Sequence, residues 1–187
     1  MTRVPVLVLV SGAPGSGKTT LAHLLSQELG LPLFSRDRLK ETLLDELGAS
    51  DRAASRKIGR ASYALLFQIA GSLLDASVGV IVECNFRRGL SEPDLLPLVM
   101  RVPTVLLHCR TDPDETVRRY LRRAANRERH AGHFDEEAVA DLVRDLEAGN
   151  YEPLDLGVPT LVIDTTDGYS PDPRQIGRFV SSLGQRG

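Results

Sequence analysis

Nine consecutive residues, Gly12-Ala13-Pro14-Gly15-Ser16-Gly17-Lys18-Thr19-Thr20, carry the clearest chemistry in this 187-residue chain. They fit G-x-x-x-x-G-K-[ST] from Gly12 to Thr19. Glycines permit backbone torsions that turn successive N–H groups inward around one anion. A helix beginning at the lysine adds the positive end of its dipole at the same point. In such a loop Lys18 reaches the β and γ phosphates of a nucleoside triphosphate, and Thr19 gives its hydroxyl to Mg²⁺.

Other residues could serve the far side of a phosphoryl transfer. Asp37 follows a short apolar run and opens a leucine-patterned helix. A carboxylate there either takes the proton of an attacking hydroxyl or serves the helix start, and the residues alone leave both open. Lys40 or Arg38 beside it can hold an anionic part of an acceptor. Glu83 and Asn85 close another apolar run, and an acid at that place can order the water shell of Mg²⁺. Arg87 and Arg88 follow it, as acceptor contacts or as surface charge. Arg118, Arg119, Arg122, Arg123, Arg127 and Arg129 crowd six cations into twelve residues against Glu128. Like charges four apart on a helix cost a few tenths of a kcal/mol each, so this layout points to an anion docked against that face, although a basic surface helix neutralised by the acidic residues from 135 to 147 would also account for it. Val117, Tyr120, Leu121 and Ala124 are expected to share the apolar face. His130 and His133 form H-x-x-H, but Gly132 breaks any helix between them, and a hinge or an acceptor contact by His130 is expected rather than zinc. His23 and His108 read as structural.

The elements that must position these groups alternate along the chain. Strands are expected at 4–10, 31–34, 79–83, 103–109 and 159–164, with helices at about 17–29, 38–47, 52–77, 91–100, 114–129, 135–148 and 172–184. Alternation of this kind gives an α/β fold with a parallel sheet covered by helices on both faces. Ligands gather at the carboxyl ends of such strands, which is where Asp37, Glu83 and the glycine loop fall. Within 52–77 the basic opening turn (Arg52, Arg56, Lys57, Arg60) reads as a solvated face. The later half is apolar almost all round and is expected to be sandwiched in the core.

Several nucleotide-binding classes are disfavoured. There is no N-K-x-D base-reading motif of a regulatory GTPase, and the D-x-x-G from Asp45 to Gly48 reads as a helix stop. No L-S-G-G-Q signature is present, and Val80-Ile81-Val82-Glu83 ends in one acid, not Asp-Glu. What remains resembles the small P-loop kinases related to adenylate kinase, nearest the branch of zeta toxins, polynucleotide kinases and antibiotic phosphotransferases. The resemblance covers nearly the whole chain and rests on the glycine loop, Ser35-Arg36-Asp37-Arg38-Leu39-Lys40 and the arginine-rich segment. It implies a P-loop NTPase three-layer sandwich, a five-stranded sheet in the order 2-3-1-4-5, ATP and Mg²⁺ as cofactors, and a helical arginine lid at about 112–134. In the family pattern S-x-D-x-[IL]-[KR] the acid is the general base, matched here by Asp37, with Lys40 at the basic position. Related kinases often carry Asp where Glu83 stands, so direct metal contact by Glu83 is not implied. By register with related lids, Arg119, Arg123 and Arg127 are the catalytic arginines. The loop at Thr165, Thr166 and Asp167 lies against adenine in such kinases, although Asp167-Gly168 and the following prolines would make a turn there anyway.

Length and composition suit a single domain over 1–187, with acceptor-side helices at about 36–77. A net charge of −2 and a pI near 6.1 argue against a generally basic, duplex-coating protein. Cys84 and Cys109 form no C-x-x-C pair and read as buried thiols of a reducing cytoplasm. Residues 4–10 are too short for a membrane span and are needed as the first strand. The expected activity is transfer of the ATP γ-phosphate to a hydroxyl-bearing acceptor, a small molecule or nucleotide, without a membrane partner. A 5′-hydroxyl polynucleotide kinase is the alternative, weakened by 5% aromatic content and no Trp. An ATP-binding regulator without transfer is a third, and Asp37 speaks against it.

Overall fold

The chain is described here from a computed structural model covering residues 4–126, 130–133 and 135–183. Its centre is β1 (Leu7–Gly12), whose alternating pattern sends Leu7 and Leu9 to one face and Val8 and Val10 to the other, all fully buried. A strand buried on both faces must have helices above and below it, and both layers are present. Against Leu7 and Leu9 pack Leu66, Ala70 and Leu74 of α3 (Arg52–Asp75) with Leu95 and Leu98 of α4 (Glu92–Val99). Against Val8 and Val10 pack Leu21, Ala22 and Leu25 of α1 (Lys18–Leu29) with Ile176 and Val180 of α7 (Pro173–Leu183).

The sheet is wholly parallel, in the order β2 (Leu33–Ser35), β3 (Val80–Glu83), β1, β4 (Thr104–Arg110), β5 (Thr160–Asp164). This is the 2-3-1-4-5 order that the resemblance implied. Register brings the strand ends together, pairing Val10 with Glu83, Ser35 with Glu83 and Gly12 with Cys109. The remaining elements are α2 (Arg36–Leu47), α5 (Pro113–Ala125), a 3-10 turn (Ala131–His133) and α6 (Asp135–Glu147).

Several expectations are adjusted. α2 begins at Arg36, not 38, because extended Ser35 serves as its N-cap position. This leaves Asp37 inside the first turn. The later half of α3 is not sandwiched: Ser62, Leu66, Ala70, Gly71 and Leu74 are buried, while Ala61, Ala64 and Leu65 lie exposed. α3 forms the outer layer and needs only one buried stripe. Of the expected apolar face of α5, Tyr120 is buried and Val117 and Ala124 are half-buried, but Leu121 is 47% exposed and Thr116 takes an inward place. Gly30 and Gly48 do stop α1 and α2, each at positive φ. Arg56, Lys57 and Arg60 are exposed, as a solvated basic turn should be, whereas Arg52 is half-buried and pairs with Asp141 of α6 at 2.7 Å. Among the described residues, no helix is long and apolar enough to cross a membrane.

Candidate active site

The loop between β1 and α1 takes the shape its glycines allow. Gly12, Gly15 and Gly17 have φ of 141°, 96° and 75°. A Cβ on Gly12 would stand 2.3 Å from the Cys109 carbonyl oxygen, and one on Gly15 would stand 3.1 Å from that of Thr116. Neither site admits a side chain without moving backbone. Ser16 is fully buried, and its Oγ has no hydrogen-bond partner. The loop is latched from the far edge of the sheet: Thr165 Oγ1 donates to Ser16 O at 2.8 Å, and the Tyr169 hydroxyl donates to Gly17 O at 2.9 Å. Sequence reasoning read Thr165 as a base contact or turn and missed Tyr169 altogether.

Lys18 is buried, donates to Ala13 O at 3.2 Å and lies 3.8 Å from Glu83 Oε1. Glu83 is 2% exposed and gathers more than the lysine. Thr19 Oγ1 donates to its Oε1 at 3.3 Å, and Ser35 Oγ donates to its Oε2 at 2.5 Å. One buried carboxylate therefore joins the glycine loop, the first turn of α1 and the end of β2. Ser35 spends its hydroxyl there and makes no cap bond to α2. Asp37 stands two residues on, half-buried, with Oδ1 3.1 Å from Arg36 Nη1. Lys40 is buried whereas Arg38 is exposed, so Lys40 is the cation of this pair turned inward. Asn85 Oδ1 is buried without a hydrogen-bond partner, and Tyr63 reaches the Asn85 carbonyl at 3.4 Å.

α5 crosses the loop from above. Its N-cap Asp112 accepts from Asp114 N and Glu115 N. Arg123 Nη2 lies 3.5 Å from where a Gly15 Cβ would stand. Arg119 lies beside it but is committed elsewhere. It donates to Thr165 O at 3.0 Å, to Thr166 O at 2.7 Å and to Glu115 at 2.6 Å. Arg118 also grips Glu115, and these two guanidinium hydrogen bonds push that carboxyl down to about 2. Arg118 and Arg122 face solvent. Arg127 and Arg129 lie outside the described residues.

The other candidates scatter. Arg87 pairs with Asp145 of α6, and Arg88 is exposed. His130 and His133 do not converge: their Nε2 atoms meet Asp45 and Glu41, each at 3.1 Å. Ser55 Oγ donates to Gly132 O at 2.6 Å, so this turn docks on α2 and α3. His108 is buried on β4, where burial, and secondarily the charge of Arg110, lowers it to about 4. It is neutral at pH 7. Burial likewise pushes the Cys84 and Cys109 thiols up to about 12, too high for nucleophilic use.

With this geometry in view, comparison with known proteins identifies the lineage. A family model described as "AAA domain" matches residues 7–148. The chain belongs to that family. A presumed kinase from Chloroflexus aurantiacus has a crystal structure 37% identical in sequence, covering 96% of this chain and 98% of its own, with a TM-score of 0.86. A gluconokinase from Sinorhizobium meliloti (17% identity, 99% and 96% covered, TM-score 0.54) and a shikimate kinase from Acinetobacter baumannii in complex with shikimate (18%, 97% and 93%, 0.51) share the fold. A cytidylate kinase from Ignicoccus hospitalis is 46% identical over 44 residues, which is 24% of this chain and 26% of that protein. The fold is that of the P-loop kinases, and the chain is a member of the AAA-domain family within it.

Proposed function

We propose that this protein transfers the γ-phosphate of ATP to a hydroxyl of a small-molecule or nucleotide-type acceptor. The Glu83 carboxylate carries the reading, since Lys18 and Thr19 of the donor loop and Ser35, two residues before Asp37, meet on it. The residues suit the cofactors. The positive-φ glycines form a cradle that a Cβ would fill. Thr19 offers a hydroxyl oxygen of the kind Mg²⁺ takes while keeping several waters, and Glu83 stands beside it as the acid that can order that water shell. When bound, Mg²⁺ would neutralise charge on the β and γ phosphate oxygens.

The chain's own residues then divide the work. Lys18 and the loop N–H groups orient the phosphates, and Thr19, whose hydroxyl donates to Glu83, would hold the cation. Asp37 takes the proton as the acceptor oxygen forms its bond to phosphorus and the bond to ADP breaks. Lys40 offers positive charge to the acceptor side. Charge in such a transfer sits largely on the equatorial phosphoryl oxygens, so positioning and cation placement supply most of the rate. Arg123, above Gly15, is the arginine suited to that charge. Arg119 is better suited to holding the loop at Thr165 and Thr166, and Arg127 keeps its role by family register alone.

Within the family we assign the chain to the zeta-toxin, polynucleotide-kinase and antibiotic-phosphotransferase branch, on S-x-D-x-[IL]-[KR], as one domain over 1–187 that works in the cytoplasm. The test is transfer of label from γ-labelled ATP–Mg²⁺ to pooled acceptors. Label should appear in a product with wild-type protein and vanish with Lys18→Ala. Binding and turnover by Lys18→Ala equal to the parent would refute the reading.

A further inference from the structure

The first turn of α2 presents a cation that the motif does not name. Arg36 lies between Ser35 and Asp37, and its side chain runs back across α3. Its Cζ stands 4.9 Å from the centre of the Tyr63 ring. Its Nη1 is 3.1 Å from Asp37 Oδ1, and its Nε is buried with no hydrogen-bond partner. Its Nη2 passes so close to α3 that a Cβ on Gly59 would stand 2.5 Å from it. Lys40, one turn further along α2, brings Cε within 3.9 Å of the same point. Tyr63 ties this corner to the end of β3, accepting from Cys84 Sγ at 3.1 Å and reaching the carbonyl of Asn85, whose own Oδ1 is buried and unpartnered.

A guanidinium laid on an aromatic face keeps its planar fork in a fixed orientation, suited to a carboxylate or phosphate. Half-burial strengthens its pull on an anion relative to open solvent. The neighbouring acid sets the geometry, because Arg36 and Asp37 meet through one nitrogen and one oxygen. The Nη1 end of the guanidinium is the part turned to Asp37, so an anion held there lies beside whatever Asp37 deprotonates.

We propose that Arg36 recognises an oxyanion on the acceptor, so that the substrate is a small alcohol bearing a carboxylate or phosphate close to the reacting hydroxyl. This rests on the phosphotransfer reading for the identity of the hydroxyl, but the anion site can be measured without turnover. Gly59 belongs to the site as the residue that leaves Arg36 room. Alanine there suits a helix better than glycine and collides only with the guanidinium end of the Arg36 side chain, not with backbone. Gly59→Ala should therefore displace the guanidinium without unfolding α3.

The experiment titrates glycerate, glycerol 3-phosphate and glycerol onto protein saturated with a non-hydrolysable ATP analogue and Mg²⁺, using calorimetry, with nucleotide affinity and Tm measured alongside. At least one anion should bind tenfold or more tightly than glycerol, and the two arms distinguish carboxylate from phosphate. Arg36→Met and Gly59→Ala should each cost that anion tenfold or more while nucleotide affinity and Tm hold, and Arg36→Lys should restore part of the loss. Equal binding of all three probes, or anion binding that survives in both variants, overturns the proposal. Failure of the analogue to bind, with the anions still held through Arg36, would instead overturn the phosphotransfer reading and leave this one standing.

Discussion

Replacing Glu83 by Gln tests the junction between the donor loop and the acceptor side. Lys18 Nζ lies 3.8 Å from Glu83 Oε1, with the two side chains only 7% and 3% exposed. At an effective dielectric near 20, unit charges at that distance attract by about 4 kcal/mol. Desolvation offsets part of this, so the pair is expected to couple by about 1–3 kcal/mol. Glutamine keeps the shape and one acceptor for Thr19 or Ser35 but leaves the ammonium buried beside a neutral amide. Breaking one side of a buried pair costs about 3–5 kcal/mol. A loss of about 3 kcal/mol would lower Tm by about 6–12 °C in a chain of this length. Lys18→Met removes the other charge, and the double variant should be more stable than the summed single losses by about 1–3 kcal/mol. Urea denaturation of the four proteins measures that difference. A coupling below about 0.5 kcal/mol, the usual limit for independent sites, would refute the argument. ATP brings its own anionic oxygens to Lys18, so in EDTA it should raise the Tm of Glu83→Gln more than that of the parent.

Asp37→Asn should leave ATP affinity in place while slowing transfer by about 10²–10⁴-fold. Asp37 is not the N-cap residue of α2, so its stability change should stay below about 1 kcal/mol; a larger loss with transfer intact would assign the acid to the helix instead. Gly15→Ala must relieve a 3.1 Å approach to the Thr116 carbonyl at a φ of 96°, so it should weaken nucleotide binding and loosen α5. Unchanged ATP affinity by calorimetry would contradict that. His108, near 4 in the folded chain against about 6.5 unfolded, takes up protons on unfolding between those values. Stability should be fully present above pH 6.5 and fall as pH drops toward 4, by on the order of 3 kcal/mol. His108→Gln should flatten the Tm profile in that window, and an unaltered slope would exclude the histidine as its cause.

The glycine loop was legible because its chemistry is local: three glycines, a lysine and a threonine need only the strand before them and the helix after. The strand order came through the resemblance, since alternation of elements does not say which strand sits beside which. Glu83 was found as an acid at a strand end, but its three partners come from the glycine loop side and β2, and only register brings them to one carboxylate. Arg36 was passed over for the same reason. In sequence it is one of several basic residues, and its meaning depends on Gly59 and Tyr63 of α3 lying against it. Arg119 was assigned to the phosphates by lid register, yet its donors reach two carbonyls 46 and 47 residues further along the chain. Leu121 misled because helical spacing marks a stripe without saying how wide the buried stripe is.

The most direct measurement follows label from γ-labelled ATP–Mg²⁺ incubated with wild-type protein, Lys18→Ala and Asp37→Asn, in the presence of pooled small anionic alcohols. The account predicts a labelled phosphate ester made by the wild type, absent with Lys18→Ala and strongly reduced with Asp37→Asn although that variant still binds ATP. Label recovered only as inorganic phosphate, or an ester formed equally well by Asp37→Asn, would contradict it.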